Sequence, residues 1–160
     1  MKTPTTLHEI EIVFYTHHDD KDPDTSILAE LRSDAGLLAH FFLPQDSGVG
    51  FGDDPPSTHR APMIINGQVS TEDVADAKHP AMTIYIEPRG HDTWRFDWHV
   101  DYIWEGHGPL SESSATVTDV RLWERHKSEA WAINIQPKAF AERDRRRSGR
   151  GKRKRHSQPR

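Results

Sequence analysis

The chain has 160 residues, 34% of them apolar and none of them cysteine, so one domain with a real core fits, while disulfide frameworks, thiolate metal sites and cysteine nucleophiles are excluded. The net charge of −4 joins two unlike parts: residues 1–141 carry eleven Lys and Arg against 23 Asp and Glu, a net of −12, and residues 142–160 carry ten against two, a net of +8. All 54 apolar residues lie in 1–141, the expected globular domain, and 142–160 reads as a disordered basic tail with no apolar side chain to offset its ordering entropy.

Residues 8–16 alternate through Ile10, Ile12 and Phe14, which is strand periodicity. Residues 17–24 (His17-His18-Asp19-Asp20-Lys21-Asp22-Pro23-Asp24) form an acidic loop, and 26–32 alternate again through Ile27, Ala29 and Leu31. Residues 37–43 are apolar apart from His40 and stop at Pro44; a third strand is expected there, with a short helix as the rival. Residues 44–62 hold four of the eleven prolines and three aspartates and read as a long loop. Met63–Ile65 is expected to be a short strand. Ser70 and Asp73 stand at capping-box spacing ahead of one or two helical turns.

Residues 82–86 alternate through Met82, Ile84 and Ile86, before a turn at Pro88-Arg89-Gly90. The clearest element follows. Trp94, Phe96, Trp98, Val100, Tyr102 and Trp104 recur at strict period two, which places them on one face of a strand and would scatter them around a helix. Residues 114–123 form a further strand whose phase slips once, as at a bulge, and Trp131, Ile133 and Ile135 mark the last. Seven to eight mostly antiparallel strands with little helix predict an all-β sandwich, because two half-apolar sheets must cover each other; a closed barrel is the alternative.

Four aspartates within six residues repel one another unless the loop is spread in solvent or a cation sits among them. The alternating Asp20, Asp22 and Asp24 suit a hard cation that takes six to eight oxygens, and Ca²⁺ is the expected ion. The loop is not an EF-hand, since Thr25 and Leu31 stand where Gly and Glu would be needed. Strand order places loops 17–25 and 44–62 and turn 88–92 at one end of a sandwich, which would bring Asp53, Asp54 and Asp92 close to the first three. The opening strand, the Asp-rich loop and Asp24-Thr25 leading into strand two resemble PLAT-type domains and, more loosely, the synaptotagmin-type calcium- and lipid-binding sandwiches. That resemblance implies calcium-assisted binding of a protein, a lipid surface or a carbohydrate, without catalysis.

Two other readings stand beside it. Asp97, His99 and Asp101 share one face of the aromatic strand, where a His and two carboxylates suit a transition metal in a metal-dependent enzyme. His17-His18 beside aspartates is a second candidate metal locus. No nucleophile-elbow, zinc-protease or phosphate-loop motif is present. In the tail, Arg145-Arg146-Arg147 and Lys152-Arg153-Lys154-Arg155 suit phosphates, so nucleic acid or another polyanion is a candidate partner. Such contact is expected to be salt-sensitive: deleting 142–160 should remove retention on a polyanion column and leave the melting temperature unchanged. Passage of the full chain through that column at low salt would remove the polyanion reading. No secretory signal and no apolar run of roughly 20 residues is found, so a cytoplasmic location is expected.

Overall fold

The computed structural model describes residues 5–75, 80–106 and 112–137. Among the described residues, ten strands form two antiparallel sheets that pack face to face. The first sheet runs in the order β4 (Ser57–Pro62), β1 (Leu7–Thr16), β7 (Thr93–Trp104), β8 (Glu112–Ser113), with β9 (Val117–Trp123) also on β7. The second runs β10 (Ser128–Ala132), β6 (Ala81–Glu87), β2 (Ser26–Ser33), β3 (Gly36–Leu43), β5 (Ile64–Ile65). A short helix, α1 (Thr71–Val74), has the Asp73 carboxylate accepting the Ser70 N–H at 2.7 Å, as the spacing predicts.

The period-two readings fall where expected. Trp94, Phe96, Trp98, Val100, Tyr102 and Trp104 are each at most 1% exposed. They share the core with Ile10, Ile12 and Phe14 of β1, Ile27, Ala29 and Leu31 of β2, and Met82, Ile84 and Ile86 of β6. Two indole N–H groups find oxygen inside: Trp94 donates to Thr16 Oγ1 at 3.0 Å and Trp104 to the Ile135 carbonyl at 2.9 Å. The expected phase slip is a bulge. Phe96 pairs with Val120 and Trp98 with Val117, so two residues of β9 oppose Asp97 alone, and Asp119 takes a φ of 55° there.

Three details correct the sequence reading. Residues 57–62, read as loop, form β4. Their only aliphatic side chain besides the proline is Ala61, so no alternation shows; the strand exists because it pairs with residues 11–16 of β1. The two-residue strand β8 is too short to read from sequence. The last strand is Ser128–Ala132 rather than 131–135, held by the β6 ladder, while Ile133 and Ile135 are buried without continuing it. The tail 142–160, including Arg145 to Arg147 and Lys152 to Arg155, lies outside the described residues. Among the described residues no helix is long and apolar enough to cross a membrane.

Candidate functional site

Three chain segments meet at the end of the sandwich where β1 finishes. Residues 17–25 leave β1, residues 44–56 leave β3, and residues 88–92 link β6 to β7. Lys21 and Phe51 form a two-way backbone bridge, each N–H donating to the other's carbonyl at 3.0 Å. Gly50 allows that approach: a Cβ there would lie 3.3 Å from the Lys21 carbonyl oxygen and 3.2 Å from Pro23 Cγ.

The centre of this end is an ammonium. Lys21 is 1% exposed, and its Nζ donates to the carbonyls of Asp22 at 2.7 Å, Thr25 at 2.9 Å and Val49 at 2.7 Å. The Phe51 ring lies under it, 5.2 Å from Nζ to centroid. Such a cation inside the fold is tolerated because all three of its N–H bonds are made and carboxylates stand around it. Burial pulls the Lys21 ammonium below its ordinary pKa, opposed by the charges of Asp92, Asp22 and Asp24.

Asp92 is the most enclosed of those carboxylates. It is 5% exposed, accepts the Thr25 hydroxyl in a short hydrogen bond, and accepts the Asp22 N–H at 3.1 Å. Burial, followed by the charges of Asp92, Asp20 and Asp24, pushes the Asp22 carboxyl up against the opposing pull of Lys21. The loop order thus brings Asp92 onto the Asp22 N–H and the Thr25 hydroxyl. Asp53 and Asp54 follow Phe51 on the turn into β4, and neither enters the hydrogen bonds around Lys21. Among the described residues no three His, Asp or Glu side chains are grouped to hold a metal ion, so the centre rests on backbone carbonyls with carboxylates outside them.

The sign of the Asp22 shift yields a prediction. A carboxyl whose pKa is raised on folding binds its proton more tightly in the native state, so its ionisation costs stability, and that cost is fully present at neutral pH. Asp22→Asn is therefore expected to raise the melting temperature at pH 7 in calcium-free buffer. The gap should close as pH falls through the Asp22 pKa towards the ordinary carboxyl value. Thermal melts between pH 4 and 7 check this; a lower-melting variant at pH 7 would show that attraction to Lys21 outweighs burial and the repulsion together.

The second locus, on the outer face of the first sheet, is a chain of pairs rather than a centre. His17 Nε2 meets Asp97 Oδ1 at 2.8 Å, and the same oxygen accepts the Asp119 N–H at 2.7 Å. His99 Nε2 meets Asp101 at 3.0 Å, and its ring stacks on Tyr15 with centroids 5.5 Å apart. Asp101 also accepts Ser113 Oγ at 2.5 Å and Arg60 at 2.8 Å. Burial pushes the Asp101 carboxyl up, but the hydrogen bonds from Ser113 and Arg60 and the charges of His99 and Arg60 outweigh it and hold it below its ordinary value. Arg60 further binds Glu11 at 2.6 Å, in a cleft of about 210 Å³ lined by Glu9, Glu11, Arg60, Asp101, Tyr102 and Ile103. Asp97 and Asp101 therefore serve different partners on either side of His99.

Sequence reasoning passed over Lys21 and Thr25. The one signal was a single cation amid four aspartates; its burial depends on Val49 and Phe51, distant in sequence. Comparison with family models, with curated proteins and with solved structures finds no match to this chain.

Proposed function

We propose that this domain is a non-catalytic, calcium-dependent binding module whose Asp-rich loop end, built on Asp20, Asp22, Asp24 and Asp92 with Asp53 and Asp54 on the adjoining turn, engages its partner. The observation that carries this reading is the charge surplus at that end. The Lys21 ammonium meets the charges of Asp92, Asp22 and Asp24, and burial, followed by the charges of Asp92, Asp20 and Asp24, raises the Asp22 carboxyl. A divalent cation relieves such a surplus, and oxygen-only ligands suit calcium. The β7 carboxylates lend less support to an enzyme, because each is spent on hydrogen bonds with its neighbours. The reading agrees with what a PLAT-like resemblance implies: calcium-assisted contact with a protein, lipid surface or carbohydrate.

A ligand that binds only the native state stabilises it by RT ln(1 + [L]/Kd), about 2.7 kcal/mol at a hundredfold excess over Kd. Millimolar calcium is expected to raise the melting temperature of the full chain, and Asp22→Asn combined with Asp24→Asn is expected to abolish the rise. An unchanged melting temperature and no heat of calcium binding would remove the calcium reading.

A further inference from the structure

The two sheets finish their outer faces differently. On the first sheet the outer face carries the Arg60–Asp101 ion pair and the Tyr15–His99 stack, and Val13, in register with Arg60 and His99, is fully buried. On the second sheet, Phe42 of β3, Leu28 of β2 and Tyr85 of β6 stand side by side in one row, since Leu28 is in register with both aromatics. Phe42 is 58% exposed and Tyr85 39%, and Ile64 of β5, in register with His40 in the next row, is 64% exposed. The row alternates along its strands with Ile27, Ala29, Ile84 and Ile86, which face the core, so it belongs to the outer face. A sandwich needs no second apolar face in order to fold, and a contiguous exposed one marks a contact surface. We propose that the outer face of the second sheet is a homodimer interface, on which a second copy of this chain packs row on row about a two-fold axis. The proposal stands apart from calcium and from the loop end, which lies at one end of the sandwich rather than on its face.

Charge is the first argument for a second copy. Residues 1–141 carry a net of −12, so two copies repel unless they meet where that charge is balanced. The carboxylates on this outer face, Glu30 and Glu87, each have a cation of their own: Glu30 meets Arg32 at 3.0 Å and Glu87 meets Lys127 at 2.8 Å. The face is therefore neutral, and it neither repels its own copy nor recruits a strongly charged partner. Residues 142–160, with ten basic residues and no apolar side chain, do not match it.

The second argument is symmetry. A two-fold axis running across the strands along the row lays Leu28 on Leu28, Phe42 on Phe42 and Tyr85 on Tyr85 of the second copy. It also sets Glu30 over Ser26 and Glu87 over Thr83, because each pair flanks the row on one strand. An axis along β2 would instead stack Glu30 on Glu30, and like charges directly opposed repel. The third argument is size. Five strands about 4.8 Å apart, with about six residues each, give a footprint of about 500 Å² per copy, and so about 1,000 Å² in total, the floor for a specific interface. A weak dimer that forms with rising concentration follows.

Sedimentation equilibrium of the full chain from micromolar to millimolar concentration is expected to show an average mass rising from 18.4 kDa towards twice that value. Phe42→Glu sets two carboxylates against each other at the axis and should hold the chain as a monomer throughout. Because Phe42 is exposed, the variant should melt with wild type at micromolar concentration. Thr58→Glu adds the same charge to an exposed position of the first sheet and should dimerise as wild type does. Wild type supplies an arm that needs no variant: on dilution, the amide NMR signals of Leu28, Phe42 and Tyr85 should shift while those of Thr58 and Arg60 stay in place. A wild-type monomer at every concentration, or a dimer that survives Phe42→Glu, would overturn the proposal. So would a monomer whose row signals move only when phosphatidylcholine vesicles are added, which would give the face to a lipid surface.

Discussion

Phe96→Ala is expected to destabilise the domain by about 3–5 kcal/mol and to lower its melting temperature by something on the order of 10 °C. Phe96 is fully buried in β7, stacks on Trp94 with ring centroids 3.7 Å apart, and meets Phe14 edge-on at 5.8 Å. Truncation removes its transfer energy and leaves a cavity that the neighbouring strands, fixed by their ladders, cannot close. Arg95, one residue away, points outward and pairs with Asp119 at 2.7 Å on the solvent side. Arg95→Ala should leave the melting temperature close to wild type, because exposed ion pairs contribute little. Paired chemical denaturation curves make the comparison, and equal losses from both substitutions would contradict the one-faced burial of β7.

Asp92→Ala is expected to cost about 2–4 kcal/mol, the second largest loss. The Thr25 hydroxyl and the Asp22 N–H lose their partner at once, and the Lys21 ammonium loses the largest of the three charges that oppose its desolvation. Two of those residues, Lys21 and Thr25, are buried, so water cannot readily replace the carboxylate. Asp54→Asn, on the exposed turn outside this network, should leave the denaturation midpoint near that of wild type. If Asp92→Ala proves as mild as Asp54→Asn, the ammonium is compensated by the outer aspartates and Asp92 is dispensable to the loop end.

The sequence was most legible where one physical rule acted alone. Strict alternation from Trp94 to Trp104 identifies a strand and its buried face because side chains on a strand alternate whatever the partner is. The same rule places β1, β2 and β6, and enough such strands call for two sheets that cover each other. The bulge in β9 was visible as a broken phase. Strand β4 was hidden because an edge strand with Ala61 as its single buried apolar residue carries almost no periodicity, and it forms only because β1 offers hydrogen-bonding groups along one side.

At the loop end, composition alone fixes the presence of four closely spaced aspartates and one lysine, and strand order fixes which loops share that end. What the lysine does there was decided by tertiary structure. Its three carbonyl partners come from residues 22, 25 and 49, and no local pattern tells a solvated lysine from a caged one. The distinction depends on Gly50 letting the Val49–Phe51 segment lie against residues 21–23, and on Asp92 arriving from the link between β6 and β7. Periodicity reports which face of a strand is dry, because burial repeats along the chain. A cage assembled from two separate loops repeats nowhere, so its geometry exists only once the sheets have brought those loops together.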